Sequence, residues 1–156
     1  MNCREQLEAY LRENRVPFNT QHHPLVYTAQ EVAASEHISG RLVAKTVFVL
    51  ADGKLVMAVL PAHHVLDLAS LKSALGAKDV RLAEEAEFAA AVPNCEVGAV
   101  PPFGNLYGMP VYVDRPLTLD EVIVFRAGSH TETMSVKYED YARLVQPKVA
   151  PLGRLP

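Results

Sequence analysis

Two apolar runs, Val43 to Leu50 and Lys54 to Leu60, flank the dipeptide Asp52-Gly53. A dipeptide of this type favours a tight hairpin turn, because both central residues must take positive φ. Both runs are apolar at successive positions rather than alternate ones, so each strand needs cover on both faces. The chain is thereby committed to a central sheet with packing on two sides. With 156 residues, 49% of them hydrophobic, it suffices for one such core and leaves little room for a second. The expected organisation is a single domain over 1–156.

Helical periods surround the hairpin. Asn2 followed by Glu5 forms a capping box for a first helix that carries Leu7, Tyr10 and Leu11 on one side and ends near Asn14. After an extended Val16 to Thr20, a second box, Thr28 to Glu31, opens a short helix that Ser39-Gly40 stops. Beyond the hairpin, Leu66 to Leu75 has helical spacing and Gly76 as its stop. Val80 to Leu82 reads as a strand, and Glu84 to Ala91 as a helix with acids in its first turn. Strands follow at Val97 to Val100, Val111 to Val113, Val122 to Phe125 and Thr133 to Val136, then a helix over Tyr138 to Val145. The tail, 146–156, is expected to be extended. Strands succeed one another without a helix between each pair, which favours an α+β fold over a parallel βαβ repeat. The expected sheet is mixed and mostly antiparallel, partly closed, and flanked by short helices.

Composition excludes several functions. A formal charge of -3 opposes electrostatic coating of nucleic acid and any general DNA-binding role, so a contact with RNA should be small or led by shape. No stretch is long enough to span a bilayer, and Met1-Asn-Cys-Arg-Glu does not begin like a secretion signal, so a cytoplasmic location is expected. Cys3 and Cys95 lie far apart outside any paired motif, and both read as free thiols. His22-His23 and His63-His64 lack a third ligand at a metal-binding spacing, so no metal and no cofactor is expected. Neither a GxSxG motif nor a phosphate-binding glycine loop occurs, and neither cysteine has a nearby histidine, which leaves a Ser or Cys nucleophile without support.

Three features carry candidate chemistry. Lys45 lies inside the apolar run Leu42 to Leu50, where its neighbours on an alternating strand face are Val43, Val47 and Val49. A buried ammonium loses hydration and needs a partner or a cleft, which makes it a functional candidate; the competing reading is a lysine that snorkels to solvent or pairs with a carboxylate. Gly98-Ala-Val-Pro-Pro-Phe-Gly104 has backbone freedom at its ends and two fixed φ angles between, so its N–H groups suit a carbonyl or oxyanion, although taken alone such a cluster is more often a plain turn before a strand. Gly128-Ser129-His130 offers a loop histidine for a carbonyl, an amine or a proton, against the reading of a surface or satisfied side chain.

Together the Val43-Ala-Lys45-Thr46-Val-Phe-Val strand, the Asp-Gly hairpin, the Leu68 to Gly76 helix, the Gly98-x-x-x-Pro102-Phe103-Gly104 loop and the Gly128-Ser129-His130 turn resemble the YbaK/prolyl-tRNA-synthetase-associated editing domain family. The resemblance runs in order from the first helix to Val145, and the chain looks like a free-standing member. It implies hydrolysis of the ester that joins a wrong amino acid to tRNA, most often alanine or cysteine on proline tRNA. The implied partner is the tRNA acceptor end with its amino acid, with prolyl-tRNA synthetase as a second partner.

By the same resemblance Lys45, Gly98 and His130 are the catalytic positions, and Thr46, Pro102, Phe103, Gly104, Gly128 and Ser129 bind substrate. Family members are thought to use the ribose hydroxyl of the tRNA to orient or activate water. An activated ester needs mainly positioning, a water and oxyanion stabilisation, so the missing triad is compatible with catalysis. Thr46 resembles the cysteine-removing branch, whereas Gly128-Ser129-His130 resembles the alanine-editing one, so the amino acid stays open. A non-catalytic module that binds an aminoacyl or nucleotide ligand, or docks on a synthetase, is the alternative, because fold does not fix function.

Overall fold

The computed structural model describes residues 1–22 and 43–156. The expected Thr28 to Glu31 box, its stop at Ser39-Gly40 and His23 lie outside the described residues. Helix α1 (Cys3–Glu13) begins at the expected box: Asn2 accepts from the Glu5 N–H at 2.8 Å, and Glu5 accepts from the Asn2 N–H at 3.1 Å. Strand β1 (Asn19–His22) follows. Strands β2 (Ala44–Ala51) and β3 (Lys54–Pro61) form the hairpin, with Asp52 and Gly53 at φ values of 49° and 81°. The Asp52 carboxylate also accepts from the N–H groups of Lys78 (3.1 Å) and Asp79 (2.9 Å), which ties the turn to the next segment.

After β4 (Val65–Leu66), α2 (Leu68–Leu75) is capped by Asp67 and stopped by Gly76 at φ 64°. It starts later than its spacing suggests because Asp67 takes the cap position, accepting from the N–H groups of Ala69 and Ser70. Strand β5 (Val80–Leu82) precedes the short α3 (Glu85–Phe88), which tightens into a 3₁₀ turn over Ala89–Ala91. Strands β6 (Val111–Asp114), β7 (Val122–Arg126) and β8 (Glu132–Lys137) come next, then α4 (Tyr138–Val145).

Two expectations fail locally. Val97 to Val100 is a turn and loop rather than a strand, since its backbone bonds go to Glu96 and Gly128 instead of a ladder. The tail, expected to be simply extended, forms two short strands, β9 (Lys148–Ala150) and β10 (Gly153–Arg154).

A five-stranded sheet runs in the order β5-β2-β3-β6-β9, antiparallel from β5 to β3 and parallel from β3 to β9. A second, antiparallel sheet is β1-β8-β7, and β10 pairs with β4. Successive residues of the hairpin feed two cores, as the two-faced apolar pattern requires. Phe48, Met57 and Val59 enter the larger with Leu7, Phe103 and Phe125, while Val49, Val56 and Ala58 enter the smaller with Leu71 and Leu152.

The sheets do not close, contrary to the expected partial closure. A single parallel bridge, Val43 to Val124, links β2 to β7, and β5 pairs with β2 only from Val49 to Ala51. Between these points, among the described residues, no strand occupies the outer edge of β2.

Candidate active site at the open edge of β2

Backbone groups alternate along a strand. The Phe48 carbonyl accepts from the Ala83 N–H at 3.0 Å on the β5 side, so the peptide groups of Thr46, two residues earlier, point to the same edge. There a cavity of about 230 Å³ opens, lined by Thr46, Val47 and Phe48, by Leu82, Ala83 and Phe88, and by Gly98 and Val100. The structure thus brings Thr46 and Gly98, 52 positions apart by their numbers, into one hollow.

Lys45 is not among that lining. It pairs in register with Leu60 and shares its strand face with Val47 and Val49 of the smaller core, opposite to Thr46. Its side chain is half-buried and makes no hydrogen bond or ion pair among the described residues. Loss of hydration lowers its pKa from 10.5.

The Gly98 loop is held from behind. Gly98 is exposed at φ 81°, a conformation that favours glycine, and its N–H donates to no group among the described residues. Its carbonyl accepts from Arg126 Nη1 at 2.7 Å, and the Val97 carbonyl accepts from His130 Nε2 at 2.7 Å, which requires the proton on that nitrogen. A Cβ on Gly98 would lie 3.3 Å from His130 Cε1. The buried His130 therefore backs the loop, and the Gly128 N–H (to Ala99 O, 2.8 Å) and Gly128 carbonyl (from Glu96 N–H, 2.9 Å) join the two loops further.

The rest of the expected constellation is divided. Pro102, Phe103 and Gly104 are buried away from the hollow. The Pro102 carbonyl accepts from the Tyr141 hydroxyl at 2.7 Å, Phe103 packs edge-on to Phe125 and Tyr141, and a Cβ on Gly104 would meet Val111 Cγ2 at 2.6 Å. They anchor the loop. Gly128 passes so close to α1 that a Cβ would lie 2.7 Å from that of Cys3, and Ser129 lines a separate polar cleft of about 300 Å³ with Arg4 and Glu132.

Cys3 and Cys95 are not free thiols: they form a disulfide across a separation of 92 residues. Packing of the start of α1 against Asn94, whose carbonyl accepts from the Cys3 N–H at 3.3 Å, brings them together. The Tyr107 hydroxyl donates towards Cys95 Sγ at 3.3 Å, and burial raises its pKa. Arg126 escaped the sequence reading, although an arginine ending the apolar run Val122 to Phe125 is the same kind of signal as Lys45. Phe48, Leu82 and Phe88 carried no signal as cavity walls.

Comparison with known proteins now decides the family. A family model for the aminoacyl-tRNA editing domain matches residues 23–144. This chain belongs to the aminoacyl-tRNA editing domain family. Among curated relatives of this editing domain, a proline--tRNA ligase of Solidesulfovibrio magneticus is 38% identical over 97 residues, 62% of this chain and 16% of the ligase. The multifunctional Ser/Thr-tRNA deacylase ProXp-y of Escherichia coli K12 is 34% identical over 104 residues, 64% of this chain and 59% of the deacylase.

In structure, the editing domain superposes on a crystal structure of a candidate trans-editing enzyme for prolyl-tRNA synthetase with a TM-score of 0.83. Identity there is 17%, over 99% of this chain and 98% of that one, and the likeness concerns the fold. Among the described residues, no helix is long and apolar enough to cross a membrane.

Proposed function

We propose that this chain hydrolyses the ester of a mischarged aminoacyl-tRNA, with proline tRNA carrying a small wrong amino acid such as alanine or cysteine as the substrate. The observation that carries this reading is that Gly98, whose N–H donates to no group among the described residues, lines a hollow at the edge of β2, with Lys45 next to Thr46 of that hollow along the strand. Family membership and likeness to a tRNA deacylase support it.

In the proposed reaction, water attacks the ester carbonyl and the carbonyl oxygen becomes an oxyanion that accepts from Gly98 N–H. The bond from the carbonyl carbon to the ribose oxygen then breaks, and that oxygen takes the proton released by the water, leaving a free amino acid and an unesterified tRNA. The neighbouring ribose hydroxyl orients the water, because among the described residues no side chain lining the hollow is a strong base. Lys45, one position from Thr46 and on the opposite strand face, flanks the ester round the edge of β2, where its positive charge offsets the developing negative one. His130 and Arg126 act through the loop: by holding the Val97 and Gly98 carbonyls they aim the Gly98 N–H.

The test is a deacylation panel of proline tRNA charged with alanine, cysteine, serine or proline, run with the parent and with Lys45→Ala. Hydrolysis of at least one mischarged species by the parent, lost in the variant with circular dichroism unchanged, supports the proposal. A parent no faster than buffer on every species defeats it in favour of a non-catalytic aminoacyl-binding module.

A further inference from the structure

The hollow beside Gly98 is more than an oxyanion site needs. Gly98 and Thr46 bring polar groups to its lining, and Phe48, Phe88, Leu82 and Val100 bring an apolar wall. Phe48 and Phe88 stack on each other at 4.5 Å between ring centroids, with 14° between their planes, so the wall carries a paired aromatic element. Leu82, at the rim, is 54% exposed, which is unusual for a large apolar residue in a strand.

The wall is also fixed in place. Arg81, beside Leu82, grips Glu87, beside Phe88, through two bonds of 2.8 and 2.6 Å, and the Ala83 N–H is tied to the Phe48 carbonyl. Strand β5 and helix α3 therefore hold their apolar side chains over the hollow without a ligand.

We propose that this wall seats the terminal nucleobase of the acceptor strand, with Leu82 and Phe88 as its contact residues. The inference rests on the deacylase reading and adds to it where the nucleoside lies. A site that discriminates among small side chains must enclose them, since selectivity of that kind depends on volume. This wall instead opens to solvent along Leu82, and a cavity of about 230 Å³ is far roomier than a methyl or hydroxymethyl group requires. An apolar, partly aromatic surface beside a polar strand edge suits a base, which presents a π face to the wall and polar edges to the backbone.

The position agrees with the chemistry. The ester is carried on the ribose, so a carbonyl at Gly98 leaves the attached base to fall on the adjoining surface, which here is Leu82 and Phe88. The wall makes no base-specific bond, so it contributes affinity and orientation rather than sequence choice.

The experiment titrates adenosine into the full chain and follows the methyl resonances of Leu82 and Val100, with methyl riboside as the baseless control and Leu82→Asp as the variant. Expected are saturable shifts with adenosine, none with methyl riboside, and a roughly tenfold or greater weakening in the variant, as for loss of an apolar contact and its replacement by a charge. Because Leu82 is exposed, the variant should fold, which circular dichroism checks. Absence of shifts, equal shifts with methyl riboside, or unchanged binding by Leu82→Asp overturns the base seat. Hydrolysis of O-alanyl adenosine is read on the same samples. Turnover without adenosine-induced shifts defeats the base seat alone, and shifts without turnover of this ester or of any charged tRNA defeat the deacylase reading alone.

Discussion

Lys45 and Asp114 lie on the same face of the central sheet and differ in how their charges are met. Lys45 is opposite Leu60, and Leu60 is one step beyond the Val59–Val113 pair, which puts Asp114 two strands away in the same row. Asp114 is 1% exposed, and both its oxygens are engaged: Oδ1 accepts from the Leu152 N–H at 2.9 Å and Oδ2 from His64 Nδ1 at 3.1 Å. Even the tail is shaped around it, since a Cβ on Gly153 would lie 2.7 Å from Oδ2. Lys45 is half-buried, desolvated and without a partner among the described residues. A saturated buried charge holds the structure together, whereas an unsaturated one at an open edge is available to a ligand.

The sharpest way to break this contrast is Lys45→Ala. Removal of a charge used in the transition state should lower kcat/KM for deacylation about 10²–10³-fold, roughly 3–4 kcal/mol, while the urea midpoint stays at the parent value. A variant that unfolds early with its activity intact would make Lys45 a structural residue like Asp114.

Asp114→Ala should do the reverse. It leaves His64 and the Leu152 N–H without their acceptor, and a stability loss of roughly 3 kcal/mol should appear as a lower urea midpoint, with kcat/KM of the folded fraction little changed. Reduction of the Cys3–Cys95 bond should destabilise by about 2–4 kcal/mol, because the closed loop is long; denaturation with and without a dithiol measures it. Gly98→Ala should cost about 1–2 kcal/mol at a φ of 81° and crowd His130, with kcat falling more than KM rises if the loop supplies the oxyanion donor.

The smallest effects concern the charge itself. The folded-state pKa of Lys45 is lowered, so a lysine charged at neutral pH opposes folding, and that cost disappears as the pH rises through the depressed value towards 10.5. Lys45→Met should therefore be at least as stable as the parent at pH 7, read as a urea midpoint equal to or above the parent's. Deacylation, if it needs the ammonium, should decline with rising pH below 10.5, after correction for spontaneous ester hydrolysis. A rate that follows only the spontaneous background would remove the charge from the mechanism.

Much of the frame was legible in the chain because it depends on neighbours. Asn2 with Glu5, Asp52-Gly53, and Gly76 after an apolar helical period each act within a few residues, and each appears where its local chemistry puts it. Lys45 was visible for the same reason, as a charge interrupting a strand period. Val97 to Val100 misled because a short apolar run looks the same whether it enters a ladder or wraps against another loop. The Cys3–Cys95 pairing, the His64–Asp114 contact and the support given by Arg126 join residues far apart along the chain, and no period records such meetings.

The sequence by itself determined a two-faced hairpin, the start of α1, the Gly76 stop of α2 and the family, since turn chemistry, capping and apolar period are local properties and the ordered motifs are written along the chain. Only the tertiary structure decided that no described strand covers the outer edge of β2 between Val43 and Val49, that Gly98 and Thr46 share one hollow, and that His130 holds the loop from behind it. Those outcomes follow from which edges and loops meet, and that is set by packing between segments dozens of residues apart rather than by any one of them.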